Sequence, residues 1–119
     1  MEGEVMIIEN ISDIEEVPSV YCITNIENNK RYYGHSINPL KRIKNHFDFL
    51  RRGSHDSSEM QLDYDTYGRN SFIVEILYMS DSINLRVSIE SMLIKHHKKD
   101  CYNFINRGKN RKKDLIKTK

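Results

Sequence analysis

The sequence predicts a small α/β domain of the α+β kind: a short, mixed or antiparallel three-stranded sheet flanked by helices, in the order β-β-α-α-β-α. Three observations carry this expectation. Two stretches rich in β-formers, Val20 to Ile26 and Arg31 to His35, flank the turn chemistry of Glu27-Asn28-Asn29-Lys30, which is the composition of a hairpin. Leu40, Ile43, Phe47 and Leu50 recur at helical spacing just after Asn38-Pro39. Ser71 to Met79, containing Phe72-Ile73-Val74-Glu75-Ile76-Leu77-Tyr78, is the strongest strand signal in the chain and belongs inside the sheet.

Each element follows from its residues. Val5 to Val17 reads as a short strand and turn against the domain edge, and Pro18 stops any helix from running into the next segment. Alternation puts Tyr21 and Ile23 on one face of the first hairpin strand and Val20, Cys22 and Thr24 on the other, and it turns Tyr33 away from Tyr32. Asn38 suits the N-cap and Pro39 the first position of a helix that ends at Arg51-Arg52-Gly53. Ser57 or Ser58 starts a second helix carrying Met60, Leu62, Tyr64 and Tyr67, with Gly68 as its stop. Asp81-Ser82 marks a turn before a third helix over 84–98, whose expected inner stripe is Leu85, Ile89, Met92, Leu93 and His96. Cys101 to Ile105 forms a short edge segment.

The length, 119 residues, suits one domain. A net charge of +2 hides an asymmetry. Residues 1–17 hold six carboxylates and no Lys or Arg, whereas the rest carries 19 basic against 11 acidic residues. Arg107 to Lys119 alone holds seven basic residues against Asp114. A basic body favours a polyanionic partner. Cys22 and Cys101 are too few for a disulfide framework and lack zinc-site spacing, so they read as free thiols in a reducing compartment. With no basic leader and no apolar run of membrane-spanning length, a soluble, cytoplasmic protein is expected.

The chemistry lies in a few residues. A hairpin brings the phenols of Tyr21 and Tyr32 together, and Arg42 and His46, four apart, share one helix face. Two phenols, a guanidinium and an imidazole on one surface suit the cleavage of a phosphate ester. Glu90, among Ile89, Met92 and Leu93, needs a metal or a hydrogen-bond partner. His35 and His55 read either as phosphate contacts or as loop histidines, and His96-His97 as dipole-stabilised residues at a helix end.

Together, Val20-Tyr21, Asn29-Lys30-x-Tyr32-x-Gly34, Leu40-x-Arg42-x-x-x-His46-Phe47, Glu90 and Tyr102-Asn103 resemble the GIY-YIG nuclease domain, most of all the catalytic domains of phage and intron-encoded homing endonucleases. The resemblance spans Ser19 to Phe104, giving a nuclease domain over 19–105 between an acidic extension (1–18) and a basic tail (106–119). It implies hydrolysis of DNA phosphodiesters with one divalent cation, Mg2+ with Mn2+ as a substitute. By this resemblance Tyr21, Tyr32, Arg42, His46 and Glu90 are catalytic, with Tyr21 as general base and Tyr32 positioning water or phosphate. Arg42 steadies the transition state, and Glu90 holds the cation. Lys30, His35 and Asn103 are supporting residues, Lys30 beside Tyr21 across the hairpin and Asn103 satisfying backbone. Lys41, Lys44, Arg51, Arg52 and His55 would follow the DNA backbone.

Two positions depart from the pattern. Val20 replaces an isoleucine, and Ser19 replaces the opening glycine, which matters only where the backbone needs positive φ. The Ile-, Asn- and Lys-rich usage suits an AT-rich phage or mobile-element source. Homing endonucleases of this type carry a DNA-binding region after the catalytic domain, whereas here only the basic tail follows. Loose specificity is therefore expected unless a homodimer or a separate specificity partner supplies it. The alternatives are a restriction-type or structure-specific dimeric nuclease, and a non-catalytic nucleic-acid-binding module on the same scaffold.

Overall fold

The computed structural model describes residues 6–8 and 10–103. Glu2, Glu4 and Glu9, the C-terminal part of the expected edge segment and the basic tail lie outside them. From Ser19 onward the order is the expected one: β2 (Ser19–Asn25), β3 (Lys30–Ser36), α1 (Pro39–Arg52), α2 (Ser58–Tyr67), β4 (Phe72–Met79) and α3 (Ile83–His96). A further strand, β1 (Met6–Ile8), pairs antiparallel with β4. The three-stranded antiparallel core β4-β2-β3 thereby becomes a four-stranded sheet in the order β1-β4-β2-β3. The β4 run is an inner strand, as its apolar composition requires.

Local chemistry accounts for the boundaries. Asn29 takes the left-handed conformation at φ 62° in the hairpin turn, a conformation that asparagine tolerates better than most residues. The side chains of Asn25 and Asn28 accept hydrogen bonds from the backbone N–H groups of Glu27 and Lys30, both at 3.0 Å. Asn38 caps α1 by accepting from Lys41 N–H, and Gly53 closes the helix at φ 75°. Ser57, not Ser58, caps α2, and Ser82 caps α3.

Every residue of β2 is buried, because both faces of the sheet are covered. On one face Tyr21, Ile23, Val74 and Ile76 pack with Ile43, Phe47 and Leu50 of α1 and Met60 of α2. On the other, Cys22, Tyr33 and Cys101 pack with Leu93 and Ile94 of α3. The alternation expected for Tyr21 and Ile23 against Cys22, and for Tyr33 against Tyr32, is present. Both cysteines are free and buried.

On α2, Leu62 and Tyr67 are exposed while Met60 is buried. One helix, α3, presents a face other than the one expected. Leu85 and Met92 of its expected inner stripe are exposed, as is His96. Arg86 is instead buried at 2 % exposure, and Nη1 of its guanidinium donates to the Ser80 carbonyl at 2.8 Å. The apolar residues of α3 are spread around its circumference, so periodicity could not choose its phase. No helix among the described residues is long and apolar enough to cross a membrane.

Candidate active site

The site is assembled at the β3 edge of the sheet, where the hairpin meets α1, the α1–α2 loop and α3. Register pairs Tyr21 with Gly34. The phenol lies directly over that glycine: a Cβ added to Gly34 would meet Tyr21 Cζ and Oη at 2.4 Å. The glycine of the second tyrosine segment is thus fixed by the close approach of a side chain, since its φ is not in the left-handed region. Ser19, where the family pattern has glycine, is a buried residue of β2 with no positive φ, and its hydroxyl donates to the Val17 carbonyl at 2.6 Å. Serine stands there without strain.

Tyr21, His46 and His55 form one hydrogen-bonded chain. Tyr21 Oη lies 2.9 Å from His46 Nε2, and His46 Nδ1 lies 2.9 Å from His55 Nε2. The backbone N–H of Ser57 donates to His55 Nδ1 at 3.0 Å. That last contact sets the donor order throughout the chain, because a backbone amide can only donate. Neutral His55 therefore carries its proton on Nε2 and donates to His46 Nδ1. Neutral His46 then carries its proton on Nε2 and donates to the Tyr21 oxygen. Both rings are held neutral. Burial, then the neighbouring His55 and Arg42, pushes His46 down to about 3, and burial lowers His55.

Tyr32 packs edge-on against His46 and His55, with ring centroids 4.7 and 5.7 Å away. Arg42 projects from the exposed side of α1 and lines a cleft of about 80 Å³ with Tyr32, Asn45, His46, Phe49, His55 and Asp56. Burial raises the Tyr21 phenol above its ordinary range and Tyr32 adds to this, whereas Arg42 acts in the opposite direction. Glu90 is raised to about 6 by burial, again opposed by Arg42. One guanidinium thus bears on both the phenol of β2 and the carboxylate of α3, which brings the two faces of the sheet together at its edge. His35, on β3, places Nε2 3.3 Å from Glu90 Oε1. Burial, then Arg86 and Arg42, lowers His35.

Among the described residues no three His, Cys, Asp or Glu side chains converge as a closed metal cage. A half-buried carboxylate whose raised pKa reflects missing stabilisation of its charge suits a cation that keeps most of its positions for water and phosphate.

The expected supporting residues separate. Lys30 is not beside Tyr21: register pairs it with Asn25, and its ammonium forms an ion pair with Glu59. Lys30 stands at the turn end of the β2–β3 ladder, far along it from the Tyr21–Gly34 pair. Asn103 does satisfy backbone, since its side-chain oxygen accepts from Tyr33 N–H and its amide donates to Tyr33 C=O, each at 2.7 Å. His55 sits in the histidine chain and also lines the cleft that holds Arg42. Arg51 and Arg52 are exposed at the end of α1 and both pair with Asp48. Lys41 and Lys44 are exposed and border a shallow depression with Glu16 and Asn38. Sequence reading passed over Arg86, whose four-residue spacing from Glu90 on one helix was the available signal, and gave Ser57 a capping role without its part in orienting His55.

An α+β domain with this histidine–tyrosine chain, one arginine and one helix-borne glutamate at a sheet edge suits the cleavage of a phosphodiester, and the match to its family model shows that the chain belongs to the GIY-YIG family. Residues 17–104 match the GIY-YIG catalytic domain, so the protein is a nuclease, a hydrolase of DNA phosphodiesters. It is similar to the solved catalytic domain of the homing endonuclease I-TevI, at 32 % identity and a TM-score of 0.65, covering 72 % of this chain and 96 % of that one. A mutant of the catalytic domain of the intron endonuclease I-TevI aligns with a TM-score of 0.66 at 32 % identity, over 74 % of this chain and 93 % of that one. No curated protein matches.

Proposed function

We propose that this chain is an endonuclease of the homing type that cuts DNA by a one-metal mechanism, with Tyr21 as general base and Glu90 as the carboxylate that holds Mg2+ or Mn2+. The observation that carries this reading is the contact of Tyr21 Oη with His46 Nε2 at 2.9 Å, with the Arg42 charge bearing on both Tyr21 and Glu90. In the donor order derived above, His46 gives a hydrogen bond to the phenol and does not take its proton. It therefore stabilises a phenolate, and Arg42 does the same through its charge.

The free protein keeps Tyr21 covered, at 1 % exposure, and burial favours the neutral phenol. Activation then belongs to the substrate complex, in which Arg42, on the open side of α1, reaches for the scissile phosphate. There the Tyr21 phenol gives up its proton to solvent, the phenolate accepts a proton from the attacking water as the water oxygen bonds to phosphorus, and the bond to the leaving oxygen breaks. A cation at Glu90 would polarise the phosphate and stabilise that leaving oxygen. Arg42 offers a planar, permanent charge to the pentavalent transition state. Tyr32, against both histidine rings, positions water or phosphate. Lys41, Lys44, Arg51 and Arg52 would engage backbone phosphates, so affinity would fall steeply with salt.

The test is cleavage of supercoiled plasmid by purified protein in Mg2+, Mn2+ or chelator, alongside Glu90→Ala and Arg42→Ala. Cutting that requires the cation and disappears in both variants supports the reading. Equal residual cutting by the variants points to a contaminant and removes it, and binding without cutting in either cation makes the chain a non-catalytic module.

A further inference from the structure

We propose that His35 is a second protein ligand to the divalent cation, binding through Nε2 beside Glu90, so that the metal site is a histidine–glutamate pair and not a lone carboxylate. The proposal rests on the reading of Glu90 as the cation-holding residue.

The geometry comes from the strand register and the helix. His35 lies opposite Val20 in the β2–β3 ladder, one residue beyond the glycine under Tyr21. Its side chain therefore turns to the α3 face, as that of Tyr33 does. There its Nε2 meets Glu90 Oε1 at 3.3 Å. That separation is long for a charge-assisted N–H···O bond, which runs at about 2.7–2.9 Å. It is close to the spacing of two ligands at right angles on one cation: bonds of about 2.1 Å each place their atoms roughly 3.0 Å apart. Both side chains keep about a quarter of their surface open, 25 % for His35 and 23 % for Glu90. Solvent and a phosphate can fill the remaining positions.

The other ring nitrogen leaves the tautomer unfixed. His35 Nδ1 is buried and has no hydrogen-bond partner. Histidine ligands usually have their tautomer fixed by an outer partner. Here no donor to Nδ1 forces the proton onto Nε2, so Nε2 can present its lone pair. The consequence is chemical selectivity. An imidazole nitrogen is a better ligand for Mn2+, Co2+ or Zn2+ than for Mg2+, so this pair would bind the former more tightly than a single carboxylate does.

Pulsed electron paramagnetic resonance of Mn2+ on the purified protein tests the assignment through the ¹⁴N modulation that a directly bound imidazole gives. Manganese binding is titrated in parallel for the wild type, His35→Ala and Glu90→Ala, with circular dichroism verifying the fold of each. The expected result is nitrogen modulation in the wild type and its loss in His35→Ala, which still binds Mn2+ but roughly tenfold more weakly. Manganese bound in a Glu90-dependent way with no nitrogen modulation, or with modulation that survives in His35→Ala, overturns the proposal and leaves the single-carboxylate site standing. Binding that is unchanged in Glu90→Ala, or no binding by the wild type, overturns the cation reading of Glu90 itself. If His35→Ala unfolds, His35→Gln replaces it, with the same loss of modulation expected.

Discussion

Gly34 and Tyr21 stand opposite each other across the β2–β3 ladder, and the phenol occupies the space where any side chain at position 34 would begin. Gly34→Ala would put a Cβ 2.4 Å from Tyr21 Cζ and Oη, a distance that forces the ring to move. The expected outcome is a loss of plasmid cleavage of at least a hundredfold, as a misplaced reacting group produces, with destabilisation of about 1–3 kcal/mol from overpacking. Cleavage assays and urea unfolding measure the two separately. Wild-type activity in this variant would mean that the phenol's position is not needed.

Tyr21→Phe keeps the ring and removes the oxygen. It should abolish cleavage while costing about 1–3 kcal/mol of stability, because the His46 Nε2 proton loses its buried acceptor. Single-turnover cleavage and thermal melting check it. Turnover at the wild-type rate would take the base role away from Tyr21.

His55→Ala tests the donor order of the histidine chain. Without the His55 Nε2 donor, His46 Nδ1 no longer has its proton excluded. Heteronuclear NMR of the His46 ring should show the proton on Nε2 in the wild type and a mixture of tautomers in the variant. Cleavage should fall roughly 10- to 100-fold, the range in which positioned proton-transfer groups act. An unchanged His46 tautomer would refute the directed chain.

Acid should destabilise the protein through His46. Its folded pKa is depressed to about 3 by burial, then by His55 and Arg42, against an ordinary value of about 6.5. As pH falls below the ordinary value, the unfolded chain takes up a proton that the folded chain refuses, so stability is lost progressively toward the folded value. The melting temperature should therefore drop between roughly pH 6.5 and 4, and should drop less steeply in His46→Gln. Parallel profiles for the two proteins would show that His46 does not titrate between the states.

Asn103→Ala removes the paired hydrogen bonds that hold both polar groups of the Tyr33 backbone. It should cost about 1–3 kcal/mol, since a buried amide and carbonyl lose their partner together. Urea unfolding reads this directly. The pinned strand carries Tyr32, Gly34 and His35, so part of the effect should also appear in cleavage.

The elements were largely legible because their signals are local. Asn38-Pro39 and Gly53 mark both ends of α1, Asn28-Asn29 marks the hairpin, and the run from Phe72 to Met79 has no competing reading. The strand Met6–Ile8 was foreseen as a short strand against the domain edge but without a partner, because its pairing with β4 is decided by distant residues. The phase of α3 was misread where apolar residues on every side left nothing to choose between Leu85 and Arg86. His55 was read as a loop histidine with two roles open, since nothing nearby in sequence announces a contact made nine residues away with His46.

What the sequence determined by itself was the family of chemistry: which residue types exist, on which elements, and in what order. Tyr21, Tyr32, Arg42, His46 and Glu90 were named through the resemblance to the GIY-YIG domain, while the hairpin and helical spacing by themselves put only the first four on one surface. Only the tertiary structure decided how they connect. It ran the histidine chain from the Ser57 amide to the Tyr21 oxygen, moved Lys30 away to Glu59, and set His35 against Glu90 on the α3 face of the sheet. The physical reason is that hydrogen-bond direction, burial and the reach of a charge depend on which elements pack together, and spacing along the chain does not encode those contacts.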